Sequence, residues 1–299
     1  MEAVLSRLLE PVSRRGGPFV AAALVLLLSA CVSSPGETVT STSLPSMDRP
    51  GDDAPAPVAA PSGRPDLVTA SDESPAARRA RIRLELASAY FSQGQTTTAL
   101  DEVKRALVAD PESVAAFNLR GLIYASLGDH GLAQDSFRRA LQLRPDDADT
   151  LHNYGWYLCQ QRRFSDARTQ LQAALRVPQY GGAAKTLLAL GLCESRAGEP
   201  AAAERQLMRS YELDPGNPST AVNLSDLLMR RGELDRALFY VRRVNQRPEL
   251  ASAETLWLEA RIERRRGATT RVQDLGAALR ERFPASREAA AMERGQFDE

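Results

Sequence analysis

Val114-Ala-Ala-Phe-Asn-Leu-Arg-Gly-Leu-Ile-Tyr-Ala-Ser-Leu-Gly-Asp-His-Gly-Leu-Ala-Gln-Asp-Ser-Phe-Arg-Arg-Ala-Leu-Gln-Leu-Arg-Pro145 decides the fold. Apolar residues recur in it at helical spacing on both sides of Gly128-Asp129, so it reads as two amphipathic helices joined by a tight turn. Gly121 and Ala133 are small where two such helices touch, and Phe117, Tyr124 and Phe137 are large enough to fill the space around that contact. The pattern repeats upstream: Pro111 and Pro145 lie 34 residues apart, as do Tyr90 and Tyr124, Ala99 and Ala133, and Ala106 and Ala140. A fixed period of this length marks an array of helical hairpins, each burying its apolar face against the next.

The marked positions, small-aromatic-alanine-proline at a 34-residue period, resemble the tetratricopeptide repeat (TPR), with Arg120 standing where a leucine is expected. Carried outward, the register gives six hairpins. The first spans roughly 80–113 with Leu86-Ala87, Tyr90, Ala99, Ala106 and Pro111. The third starts at Ala148 with Leu151, Tyr154-Gly155, Leu158, Ala167, Leu171 and Ala174. A two-residue insertion near Tyr180 precedes the fourth, from Ala184, with Leu187, Leu190-Gly191, Ala203, Leu207 and Pro215. The fifth, from Pro218, keeps Leu224, Leu228 and Ala237, and the sixth, from Ala253, keeps Leu256, Ala260, Leu279 and Pro284. Gly94, Gly128, Gly198, Gly232 and Gly267 fall between paired helices, where a left-handed turn is needed. Arg162-Arg163 take that place in the third hairpin, whose turn is expected to differ. The resemblance implies an all-α, right-handed superhelix whose first helices line a concave groove. By the repeat's second, fifth, ninth and twelfth to thirteenth places, that groove holds Ser88, Phe91, Asn118, Leu122, His152, Trp156, Cys159, Lys185, Leu188 and Leu192. Such a mixture of apolar and polar side chains suits a peptide, with Trp156 as its anchor; the other reading is that Trp156 and the leucines pack between repeats.

Ahead of the repeats, Arg14 and Arg15 precede an apolar run of 12 residues, Phe19–Ala30, that ends at Cys31. A spanning helix needs about 20 residues, so the run is a secretory leader and not a membrane span. Leu28-Ser-Ala-Cys31 has the form of a bacterial lipoprotein box, giving a leader over 1–30 and a lipidated Cys31. With Val32 and Ser33 following, sorting by analogy to enteric lipoproteins is to the periplasmic face of the outer membrane. Residues 32–75 carry eight prolines among small and acidic residues, too little apolar surface to fold, and read as a disordered linker. The repeat domain is assigned to 76–290 and a short tail to 291–299.

The 38 basic and 38 acidic side chains balance, which argues against nucleic acid as a partner. No phosphate loop, nucleophile elbow, zinc pair or dinucleotide fingerprint occurs, so neither an enzyme nor a cofactor, metal or small-molecule substrate is expected. His130 falls in a turn. His152 has only Cys159 in reach, too few ligands for zinc. Arg261-Ile-Glu-Arg-Arg-Arg266 ends a helix, where positive charge meets the negative terminus. Cys159 and Cys193 lie on the first helices of neighbouring hairpins, which pack side by side. In an exported protein they are expected to be bridged, the alternative being two buried free thiols.

Several strings are more specific than the repeat register: Asn153-Tyr-Gly-Trp-Tyr-Leu-Cys-Gln-Gln161, Val177-Pro-Gln-Tyr180, Leu190-Gly-Leu-Cys-Glu194, Leu256-Trp-Leu-Glu-Ala-Arg-Ile262 and Phe283-Pro-Ala-Ser286. Together they resemble the type IV pilus biogenesis lipoproteins of the PilF/PilW family. That resemblance implies a lipid-anchored adaptor, or pilotin, that binds the secretin subunit and promotes its multimerisation in the outer membrane. A second expectation is a lipoprotein scaffold for peptidoglycan hydrolases.

Overall fold

The computed structural model describes residues 73–297, and among them there are thirteen helices and no strand. Six antiparallel hairpins follow one another: α1 (Pro75–Ser92) with α2 (Thr96–Ala109), α3 (Val114–Leu127) with α4 (His130–Leu143), and α5 (Ala148–Gln160) with α6 (Phe164–Arg176). The second half comprises α7 (Ala183–Arg196) with α8 (Pro200–Leu213), α9 (Pro218–Arg230) with α10 (Leu234–Asn245), and α11 (Ala253–Arg265) with α12 (Thr269–Arg282). The all-α repeat architecture read from the sequence is therefore the architecture found. The expected leader, lipidated Cys31 and all but the end of the linker lie outside the described residues. An eight-residue α13 (Arg287–Arg294) closes the chain; it packs on α11 and α12 and carries helical structure past the limit of 290 set from the sequence.

Five of the six first helices start where the sequence supplies an oxygen to cap them; α7, which follows Gly182, does not. Ser74, Ser113, Asp147, Asn217 and Ser252 accept hydrogen bonds from backbone amides three residues on, satisfying donors that the helix leaves unpaired. Within a hairpin the chain reverses through a left-handed residue: Gly94, Gly128, Gly198, Gly232 and Gly267 have φ between 76° and 82°. The third hairpin corrects the sequence expectation. Arg162 adopts φ 59°, and its amide and that of Arg163 bond to the carbonyls of Cys159 and Leu158 just as Gly128 and Asp129 bond to Ala125 and Tyr124. The turn is the same, and an arginine backbone is held in the conformation that glycine supplies elsewhere.

The contact between paired helices is matched in size. A Cβ on Gly121, Gly155 or Gly191 would lie 2.7 Å from Phe137, Leu171 or Leu207 respectively, so each large side chain sits directly on a glycine backbone. The partner is always sixteen residues further on. Where the first position carries Ala87, Ser225 or Ala260, the residue sixteen on is Val103, Val241 or Gly276. Volume added on one helix is thus given up on the other, as dense packing requires. Arg120, the departure from the repeat pattern, is accounted for: its Nε donates to Ser136 Oγ at 3.0 Å and its guanidinium lies 4.7 Å over the Phe117 ring.

First helices of neighbouring hairpins also touch one another, α1 to α3 and onward to α11, whereas successive second helices make no such direct packing among the described residues. First helices therefore crowd on the inside and second helices splay outward, which curves the stack. Buried glutamates fasten the joints. Glu194 on α7 receives two bonds of 2.7 Å from Arg168 on α6. Glu259 on α11, fully enclosed, accepts from Asn245 on α10 at 2.8 Å and from Arg271 on α12 at 2.9 Å. Such carboxylates are tolerated in a dry interior because each is paired and hydrogen-bonded.

A candidate peptide groove on the first helices

The concave face is built from α1, α3, α5, α7, α9 and α11, and the residues expected there fall into two groups. Ser88 is exposed, and Phe91, Asn118, Leu122, Lys185, Leu188 and Leu192 are half-buried. Asn118 Oδ1 accepts from Asn153 Nδ2 at 3.1 Å, joining α3 to α5. Leu122 and Leu192 pack on the aromatic cluster of the third hairpin and Leu188 on the core of the fifth. These positions leave surface for a partner.

His152 and Trp156 are placed differently from the sequence expectation. Their relative exposures are 2% and 8%, so both belong mainly to the packing between the third and fourth hairpins. Trp156 lies among Leu122, Leu192, Ala189 and the two cysteines, and Arg196 covers it at 5.0 Å from the ring centroid. The register gives the direction of a side chain but not what the next hairpin lays over it. Thr186 of α7, braced in turn by Tyr180 of the insertion before that helix, supplies the cover for His152. Gln179 takes φ 58° and the Tyr180 ring folds back over Gly182, where a Cβ would meet the hydroxyl at 2.4 Å. Thr186 Oγ1 donates to Tyr180 Oη at 3.2 Å and lies 2.8 Å from His152 Nδ1. Burial, with Lys185 adding repulsion, lowers the histidine pKa to about 3, so the ring is neutral. His152 Nε2 and Trp156 Nε1 are buried without a hydrogen-bond partner.

Cys159 and Cys193 are bridged, with Cα atoms 5.7 Å apart, tying α5 to α7 beside Trp156. No group of three or more metal-ligating side chains occurs among the described residues, and no described helix is long and apolar enough to cross a membrane.

A cleft of about 630 Å³ at the other end of the face went unnamed in the sequence reading. Its walls are Val222, Asp226 and Arg230 on α9 and Glu254, Trp257 and Arg261 on α11, with α13 closing one side. Those six residues hold the second, fifth, ninth and thirteenth places of the last two hairpins. The signal that nominated Trp156 was present there and needed only to be carried through the degenerate repeats. The arginine run at the end of α11 is absorbed structurally: Arg265 donates to the Met229 carbonyl at 3.1 Å, and Arg266 pairs with Asp235 at 2.8 Å.

Comparison with known proteins fits this geometry. The tetratricopeptide repeat family matches residues 84–148 and 155–218. Over 179 residues the chain is 30% identical to the type IV pilus assembly protein PilF of Pseudomonas aeruginosa, an alignment covering 57% of this chain and 70% of that protein. The crystal structure of PilW, described as a widely conserved type IV pilus biogenesis factor, superposes with a TM-score of 0.66 at 30% identity, covering 72% of this chain and 98% of PilW. The solved structure of Pseudomonas aeruginosa PilF gives 0.65 at 25% identity, covering 74% and 100% of the two chains.

Proposed function

The chain belongs to the PilF/PilW family of tetratricopeptide-repeat proteins of type IV pilus biogenesis, and on that premise we propose that it is an outer-membrane lipoprotein adaptor, a pilotin, for the secretin. The observation that carries the reading is its 30% identity to PilF across most of that protein, joined to a curved helical scaffold with a partly apolar inner face. Lipid on Cys31 fixes the amino terminus beneath the outer membrane, since acyl chains in combination give a stable anchor. The linker lets the repeats reach past the headgroups. Half-buried Leu122, Leu188 and Leu192, beside Asn118 and Lys185, take an apolar segment of the secretin subunit with a few polar contacts. Held there, subunits gather at the membrane in which they must multimerise. Nothing in this role breaks or forms a bond.

The test is a deletion strain probed for heat-resistant secretin multimers in outer-membrane fractions. Multimers should be lost on deletion, restored by the wild-type chain and not restored by Cys31→Ser. Normal multimers in the deletion strain would remove the secretin role; full restoration by Cys31→Ser would remove the need for the anchor.

A further inference from the structure

Residues Gly295–Phe297 leave α13 through a left-handed glycine, φ 67°, and return to the last first-helix of the stack. There the Phe297 ring stacks on Trp257, centroids 5.0 Å apart and planes 25° from parallel. The Arg264 guanidinium stands 5.5 Å from the Phe297 centroid, and Arg261 Nε donates to the Phe297 carbonyl at 3.1 Å. Trp257 and Arg261 occupy the fifth and ninth places of the sixth hairpin, the places that face the groove. A short turn of this chain is therefore held by an aromatic stack, a cation over its ring and a main-chain hydrogen bond. These are the contacts by which a groove holds a peptide.

A tail that served only to cover α11 and α12 would fill the space beside it. Instead the cleft of about 630 Å³ continues from Gln296 and Trp257 across to Val222 and Arg230 on α9. Beyond Phe297, which also packs on the core of α11, α12 and α13, the segment is held by local bonds, the Gln296 amide to the Ala291 carbonyl and Arg294 to the Gln296 side chain.

We propose that this cleft is a second peptide-binding site, taking a partner segment that presents an aromatic side chain and a main-chain carbonyl, and that in the free protein the 295–297 segment, with Gln296 on the cleft wall and Phe297 on Trp257 at its edge, acts as an internal competitor. The partner's aromatic ring replaces Phe297 on Trp257, Arg261 transfers its hydrogen bond to the partner's carbonyl, and the rest of the segment runs along α9. The inference concerns the fifth and sixth hairpins and does not rest on the secretin reading.

The probe is a fluorescein-labelled synthetic peptide with the sequence of residues 293–299, Glu-Arg-Gly-Gln-Phe-Asp-Glu, titrated by anisotropy into the full chain. Removing the competitor raises the competent fraction, so Phe297→Ala should bind the peptide at least about tenfold more tightly than wild type. Trp257→Ala added to Phe297→Ala should abolish binding. Arg261→Gln in the same background, which leaves the aromatic core intact, should weaken it by about tenfold, the loss of one charge-assisted hydrogen bond. A peptide with alanine in place of phenylalanine should not bind. Equal affinity of wild type and Phe297→Ala, no binding by Phe297→Ala, or binding that survives Arg261→Gln and the alanine peptide would each overturn the proposal. Far-UV circular dichroism of every variant confirms that the hairpins persist.

Discussion

Replacing Gly155 by alanine tests the size matching between paired helices. In an ordinary helix interior this change stabilises by about 1 kcal/mol, because alanine is the better helix former. Here the added Cβ would lie 2.7 Å from Leu171 Cγ, 3.0 Å from its Cδ2 and 3.1 Å from its backbone nitrogen. The 3.1 Å backbone contact needs a shift of only a few tenths of an ångström, but the Leu171 side chain is fully buried and has no space into which to withdraw its Cγ. Overpacking of that kind costs about 1–3 kcal/mol, so Gly155→Ala should be destabilising by about 1–2 kcal/mol net. Leu171→Val alone should cost about 1 kcal/mol for the lost methylene. Combined, the two changes recreate the Ala87 and Val103 pairing of the first hairpin. The double variant should then lie within about 0.5 kcal/mol of wild type, giving a coupling of about 2 kcal/mol. Urea melts at equal m-values read all four corners of this cycle. A stabilising Gly155→Ala, or a double variant whose loss is the sum of the singles, would refute the matching.

Three further outcomes are expected. Cys159→Ala with Cys193→Ala should lower stability by about 3–4 kcal/mol, since the bridge closes a loop of 34 residues in the unfolded chain; the wild-type urea midpoint should fall to the variant's on adding reductant, and a midpoint indifferent to reductant would contradict this. His152 is neutral when folded, with its pKa lowered to about 3, so the unfolded state takes up its proton first as the pH drops below about 6.5. Stability should therefore decline through that window, by about 2 kcal/mol at pH 5. His152→Gln should lose this component, and the same acid slope in both proteins would exclude it. Arg162→Gly should raise stability by about 0.5–1 kcal/mol by relieving an L residue of its left-handed conformation, measured as a shift in thermal midpoint.

The repeat was legible because its determinants are steric and local. Gly121, Gly155 and Gly191 must be small, Pro111 and Pro145 stop helices, and each recurs at a fixed interval. The register also placed Cys159 and Cys193 on neighbouring first helices. Legibility failed where the neighbour decides. Trp156 and His152 occupy groove places, yet Arg196 and Thr186 come over them from the next hairpin, and nothing in a single repeat announces that. Arg162 was misread for a different reason: the pattern of glycines describes the cheapest residue for a left-handed turn, whereas the fold demands the conformation whether or not glycine supplies it. The contribution of α13 could not be read from the period, because it lies beyond the last repeat. Gly276 is its trace, leaving room for Met292, whose Cγ would lie 3.2 Å from an added Cβ.

Every hairpin among the described residues leans only on those beside it, so opening can begin at either end and advance one joint at a time. The covalent tie between α5 and α7 sits at the midpoint of that series. Protease attack on frayed ends would whittle the chain inward from both sides and stall at the sulfur-linked pair. The most durable fragment would then be the one that carries the aromatic cluster around Trp156.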